Sequence, residues 1–198
     1  MEQIVRTSVK KDKRVQKTRQ GIRAAFIALL KEKRFADITV QDIADRAQIS
    51  RSTFYDHYSD KYLLLENLYQ ETVERFRQMA EVYFAPRTHE EKVAGAAEVL
   101  DYVIGDAELI HVLMNLQEPG WDLTSWIQKS MEPLCMEYLR QMPEDRYHLG
   151  PEFVAGIYTY LMTYAMKWIA EHQRVEDFPG LLELSMKISG FFYEKDKR

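Results

Sequence analysis

Thr39-Val40-Gln41-Asp42-Ile43-Ala44-Asp45-Arg46-Ala47-Gln48-Ile49-Ser50-Arg51-Ser52-Thr53-Phe54-Tyr55-Asp56-His57-Tyr58 is the stretch that decides the fold, because it reads as two short helices across a tight turn. Thr39 followed three residues later by Asp42 is a capping pattern. The hydroxyl accepts from an otherwise unpaired amide while the carboxylate reaches back to the threonine. Val40, Ile43, Ala44 and Ala47 then share one face, and the helix stops at Gln48-Ile49. Ser50 caps the next helix, which runs to about Tyr58. Two capped helices separated by about three residues have the geometry that offers the second helix to a major groove.

The side chains suit that use. Arg51, Ser52 and Thr53 stand where a recognition helix reaches base edges: Arg51 can donate two bonds to a guanine, and the Thr53 methyl can meet a thymine. Tyr55, His57, Tyr58 and Lys61 are spaced to touch phosphates, which orient the protein without reading sequence. Thr39 and Gln41 lie at the start of the first helix, where free amides favour an anion. Lys17, with Lys13 and Arg19, adds cations on the preceding helix. A purely structural three-helix cluster built on Ile22, Phe26, Ile43, Ile49 and Phe54 is the plainer alternative. Gathering Tyr, His and Arg on the third helix argues against it.

Outward from this core the chain reads as helix nearly throughout. Ile22, Ala25, Phe26, Leu29 and Leu30 follow a helical period from about Lys13 to Lys33. Ser59-Asp60 caps a long helix from Lys61 to about Phe84, and Ala85-Pro86-Arg87-Thr88 interrupts the chain. Further helices are expected over about 89–104 and 107–117, then, after the Glu118-Pro119-Gly120 turn, over about 123–142 with a kink at Pro133. A loop follows over about 143–150, then a helix from Pro151 to about His172 and a last one over about 180–193. No segment alternates convincingly, so the expectation is an all-α chain of about nine helices without a sheet. It divides into a DNA-binding head at 1–60, with a basic arm over about 1–12, and a helical body at 61–198 that binds effector and dimerises.

Composition supports a two-part chain. Residues 1–61 hold 14 Lys and Arg against 8 Asp and Glu, a balance of +6, whereas 62–198 hold 13 against 23, a balance of −10. A basic head on an acidic body fits a nucleic-acid binder with a separate second domain. Cys135 is the single cysteine, which suits a reducing compartment. The N-terminus lacks the apolar core of a secretory signal. The uncharged run Phe153 to Met166 is too short to span a bilayer. A soluble, cytoplasmic protein without a membrane partner is expected.

The run from Thr39 to Lys61 resembles the DNA-binding signature of TetR/AcrR-family transcriptional regulators. The matching residues are the Thr39 cap, Ile43-Ala44, Ala47, Ser50, Thr53-Phe54-Tyr55, Tyr58 and Lys61. The likeness covers roughly residues 13–68. Two positions depart from the pattern: Gln48 stands where the family commonly has glycine, so the turn is expected to be strained, and Tyr62 stands where it often has an acid.

The resemblance implies a homodimer joined by the last two helices of each subunit, a two-fold-related duplex operator, and a small-molecule effector bound in the helical body. The residues add support for the dimer. Phe153 to Met162 is apolar nearly all round, so it must be covered on several faces. Ile157, Tyr160, Leu161, Ile188, Phe191 and Phe192 are its candidate interface residues. Tyr102, His111, Met114, Trp121, Trp126, Met131, Tyr138 and Tyr164 would give an effector pocket an aromatic and Met-rich lining for an apolar or aromatic molecule. Glu108 and His111 have a spacing used by di-iron bundles, but one copy does not make a metal site. Cys135 reads as packing. No metal or cofactor is expected. No nucleophile–base pair or phosphate loop suggests an enzyme. The expected output is repression relieved by effector. The alternative is a co-regulator or activator working mainly through protein partners.

Overall fold

The computed structural model describes residues 2–84, 101–141 and 150–172, together with 95, 97, 98 and 180. Seven α-helices and one 3-10 turn have bounds within them: α1 Glu2–Glu32, the turn Phe35–Asp37, α2 Val40–Arg46, α3 Arg51–Tyr55, α4 Lys61–Phe84, α5 Ala107–Met114, α6 Leu123–Arg140 and α7 Pro151–His172. Residues 101–105 are helical as well, and the described residues include no strand. The expected loop over 143–149 and the last helix, with Ile188, Phe191 and Phe192, lie outside the described residues, as does most of the helix expected over about 89–104.

Two departures from expectation have local causes. α1 begins at Glu2, so the segment expected as a basic arm continues the helix. No glycine or proline precedes Gly21 to stop it. α5 ends at Met114 with Asn115 as its C-cap, and the Asn115 side-chain amide donates to the His111 carbonyl at 2.9 Å, holding one of the last carbonyls of the helix. Beyond it Gly120 takes φ +84°, the sign a glycine following Pro119 needs at the second central position of a type II turn.

The chain forms two compact units, one of Met1–Leu68 with Leu116–Pro119 and the other of Tyr69–Asn115 with Gly120–Arg198. In the first, Ile22, Phe26 and Leu29 from α1 share a core with Phe35, Ile38, Ile43, Phe54, Leu64, Leu65 and Leu68, all buried. These are the positions at which the helical period of α1 and the capped helices α2 and α3 turn their apolar sides inward.

In the second unit, α5, α6 and α7 pack on one another. Ile110, Leu113, Leu123, Ile127, Met131, Cys135, Val154, Ala155, Met166 and Ile169 are buried in its core, with Tyr69 and Phe76 from α4. Pro151 opens α7, where its missing N–H costs nothing. The buried hydroxyls of Thr159 and Thr163 donate back to the carbonyls of Ala155 (3.0 Å) and Thr159 (2.9 Å). Gln128 of α6 donates to the Thr163 hydroxyl at 3.1 Å, so a polar bond fixes α6 against α7 inside an otherwise apolar contact.

Among the described residues, α7 is buried along one face. Phe153, Tyr160 and Tyr164 are 58%, 61% and 57% exposed, and with Gly156 they form one stripe at helical spacing. Ile157 and Leu161 flank it, half-buried. The expected partners on the last helix lie outside the described residues, and among those described this stripe is exposed. Among the described residues no helix is long and apolar enough to cross a membrane.

Candidate nucleic-acid interface

Backbone chemistry sets the frame of the helix-turn-helix. At the start of α2 the Asp42 amide donates to the Thr39 hydroxyl at 3.1 Å, and the Thr39 amide donates to the Asp42 carboxylate at 2.7 Å. This is the capping box the sequence announced. α2 closes with Ile49 N–H on the Ala44 carbonyl (2.9 Å) and Gln48 N–H on the Asp45 carbonyl (3.1 Å). That pair of bonds is a Schellman ending, which requires a left-handed residue at its centre. Gln48 supplies it at φ +55°, so the strain expected from glutamine at a glycine position is present. Ser50 then caps α3 by accepting from the Thr53 amide at 3.0 Å, and Asp60 caps α4 by accepting from the Leu63 amide at 2.8 Å.

Ion pairs tie α2 to the end of α1. Arg46 donates two bonds to the Glu32 carboxylate, at 2.9 and 2.5 Å, and Lys33 pairs with Asp42 at 2.8 Å. The bond from Arg46 holds the Glu32 carboxyl below its ordinary value. The Lys33 ammonium, then the Thr39 hydroxyl and amide, hold Asp42 far below the usual carboxylate range. Sequence reading did not find either pair: Arg46 and Glu32 are 14 residues apart, and nothing local singles out the match.

On this frame α3 presents its first turn. Arg51, Ser52 and Tyr55 are exposed. Arg51 donates to the Tyr55 hydroxyl at 3.3 Å, and its guanidinium lies 5.9 Å from the Tyr55 ring centre. Thr53 is half-buried, its hydroxyl 2.9 Å from that of Ser50. His57 and Tyr58 are half-buried, with Tyr58 packed on Phe54 at 5.8 Å between ring centres. Gln41 is exposed but donates to Asp45 at 2.6 Å. Lys17 is exposed on α1.

Lys61 departs most from its expected role. Its ammonium donates to the carbonyls of Phe35 (2.8 Å), Ala36 (3.1 Å) and Ile38 (2.7 Å), which engages all three of its N–H bonds. It also lies 4.5 Å from the Phe35 ring centre and 5.5 Å from that of Tyr62. Burial lowers its pKa, and the charges of Glu118 and Asp37 act in the opposite direction. In this geometry it has no donor left for a phosphate.

The eight residues expected to line an effector pocket differ in their surroundings. Trp121 and Trp126 stack at 5.7 Å and both meet the ring of Tyr69 edge-on, at 5.1 and 5.4 Å. Tyr69, which sequence reading passed over, is fully buried at the centre of this group. Its hydroxyl lies 3.0 Å from the carbonyl oxygens of both Leu113 and Trp121, and burial raises its pKa. Tyr102 packs on Phe76 at 5.5 Å under the Arg75 guanidinium. Met131 is wholly in the core. Met114 and Tyr138 are half-buried, His111 is exposed beside Asn115, and Tyr164 belongs to the exposed stripe of α7. Burial pushes the Cys135 thiol up to about 12, which keeps it protonated and unreactive near neutral pH. Among the described residues no three His, Cys, Asp or Glu side chains form a group fit for a metal.

Comparison with known proteins bears on the same segment. Residues 22–68 match the family described as bacterial regulatory proteins, tetR family. The chain is 30% identical over 135 residues to YxbF of Bacillus subtilis (strain 168), described as an uncharacterised HTH-type transcriptional regulator; the match covers 67% of this chain and 34% of YxbF. The chain spans about a third of the length of the curated relatives it matches. A TetR transcriptional regulator from Streptococcus agalactiae 2603V superposes with a TM-score of 0.57 at 28% identity, over 91% of this chain and 98% of that one. NalD of Pseudomonas aeruginosa, described as the secondary repressor of the MexAB-OprM multidrug efflux pump, superposes with a TM-score of 0.63 over 87% of this chain and 96% of its own. At 18% identity that second likeness is one of fold.

Proposed function

Since the chain belongs to the TetR family of bacterial transcriptional regulators, we propose that it works as a homodimer that reads a two-fold-related duplex through α3 and represses transcription until a small apolar or aromatic effector releases it. The observation that carries the reading is the first turn of α3. Arg51 and Ser52 at its start and Tyr55 at its end stand exposed on a short helix whose cap and preceding turn are fixed by hydrogen bonds. Held that way, a guanidinium and a hydroxyl can be aimed at base edges with little loss of side-chain freedom.

The dimer is supported by the exposed stripe Phe153, Gly156, Tyr160 and Tyr164, a contiguous apolar face of the kind that marks an interface. A two-fold pair of heads would meet half-sites about one helical turn apart or somewhat more. The aromatic group of Tyr69, Trp121 and Trp126 is the best-supported place for an effector to act. Tyr69 sits on α4, the continuous helix Lys61–Phe84, so a ligand favouring one position of that helix would shift the population of DNA-competent dimers.

Selection from a random duplex pool with the full chain tests the first part. A recovered two-fold-related sequence bound more tightly than its scrambled form is the expected result; no enrichment overturns the DNA reading. Screening apolar and aromatic compounds for release of that duplex, with Trp121 and Trp126 fluorescence as the readout, tests the second.

A further inference from the structure

We propose that Lys61 is a positioning residue that locks the 35–38 turn onto the start of α4 and so fixes where α2 begins, instead of a contact to the nucleic-acid backbone. The inference rests on the DNA-binding reading above and concerns how its reading head is held.

Three carbonyl oxygens, from Phe35, Ala36 and Ile38, converge on the Lys61 nitrogen within 3.1 Å. A compact ammonium with three donors fits such a cradle, whereas a planar guanidinium does not direct its N–H bonds toward one point. Two aromatic rings, Phe35 and Tyr62, lie close enough to add cation–π attraction from the sides. Glu118, in the segment Leu116–Pro119 of the same unit, adds an attractive charge. Turning the ammonium toward a phosphate would strip these partners from it and leave the carbonyls without a charged donor.

The consequence runs along the chain one residue at a time. Ile38, whose carbonyl Lys61 holds at 2.7 Å, directly precedes Thr39, the cap of α2. α2 in turn ends in the Schellman bonds that deliver Ser50 and α3. A shift in the 35–38 turn therefore reaches Arg51 through two short, capped elements with no flexible linker between them.

The test uses the full chain, the duplex selected by the wild type, and a scrambled duplex, at temperatures well below each variant's melting. For Lys61→Gln, affinity for the selected duplex should fall about tenfold, the scale of one misplaced base contact. Affinity for the scrambled duplex should stay unchanged, as should the slope of log affinity against log salt. Lys61→Arg, which restores charge but not the three-way geometry, should not recover the loss.

A phosphate contact gives the opposite pattern: the slope shrinks by about one, both duplexes weaken together, and arginine rescues. That result, or an unchanged affinity for the selected duplex, overturns the proposal. Should Lys61→Gln not fold, Lys61→Arg alone decides, since wild-type affinity in that variant is incompatible with the cradle. Exchange of the Ile38 amide, which donates to Phe35 at 3.1 Å, should quicken in either variant and is read without DNA. It separates failure of the clamp from failure of the DNA-binding reading, which shows as no selected duplex in the wild type.

Discussion

Replacing Gln48 with glycine should stabilise the helix-turn-helix. Gln48 is held at φ +55° between the two Schellman bonds, where a side chain bearing Cβ is strained. The left-handed conformation costs such a residue about 1–2 kcal/mol. Glycine removes that cost but gives about 0.4–1 kcal/mol of freedom back to the unfolded chain. Gln48 is exposed, so little packing is lost, and the balance, between 0 and about 1.6 kcal/mol, centres on a gain of about 0.8 kcal/mol. For a chain of this size the gain corresponds to a rise of about 1–4 °C in melting temperature. Thermal and urea unfolding followed by far-ultraviolet circular dichroism would measure it. The Ile49 amide, whose bond to Ala44 is the longer-range half of the motif, should exchange more slowly. Asparagine, which tolerates the left-handed region, should fall between glycine and glutamine, and valine should be worse than glutamine. A Gln48→Gly protein that melts lower, or a series out of that order, would refute the strain argument.

Three other perturbations address the reading head, its electrostatics and its pairing. Arg51→Ala should cost about 1–3 kcal/mol on the selected duplex and relax preference at one base position, measured by fluorescence anisotropy; an equal loss on every sequence would mean Arg51 reads no base. Asp42 titrates well below its unfolded value, so its stabilisation is complete above the unfolded pKa of about 3.9 and fades as pH falls through the lower folded one. Asp42→Asn should therefore be less stable than wild type at pH 7 and lose less stability on acidification below about pH 4, and parallel pH–stability curves would contradict this. Tyr160→Asp places a charge on the exposed stripe of α7 and should yield a folded monomer in sedimentation experiments. That monomer should bind half-site and full-site duplexes alike, whereas a dimer that survives the change would remove α7 from the interface.

Features of the reading head whose partners lie within a few residues were legible in the sequence. Thr39 and Asp42, Ser50 and Thr53, and Asp60 and Leu63 interact three residues apart, so residue type and spacing sufficed. Gln48 was legible through the resemblance, which places it where the family commonly has glycine, and its φ of +55° bears that out. Lys61 was not, because its partners are 23 to 26 residues away, and an exposed-looking lysine beside a recognition helix resembles a phosphate contact until the carbonyls are in place. Tyr69 was hidden likewise, since its carbonyl partners lie 44 and 52 residues on. For α7 the difficulty was phase. When nearly every residue is apolar, periodicity does not say which face is covered, and Tyr160 and Tyr164, four apart and on one face, were assigned to different roles.

Polar residues of the head divide into those held by the protein and those left for a partner, and the division narrows what can specify a sequence. Thr39, Gln41, Thr53 and Lys61, all plausible contacts by type, are engaged in a cap, an intrahelical bond, a hydroxyl pair and a carbonyl cradle. His57 and Tyr58 are half-buried against their neighbours. On α3, Arg51, Ser52 and Tyr55 are exposed, with Arg51 bonded to Tyr55 four residues on, as the exposed Gln41 is to Asp45 on α2. A reading surface on one helix as short as α3 distinguishes few base pairs, because each good contact discriminates by only about 1–3 kcal/mol. Selectivity adequate for a genome then requires the same surface twice, at a fixed spacing. In the proposed dimer the fixed framing of α3 would make a small reading surface accurate, and pairing through the exposed stripe on α7 would make it sufficient.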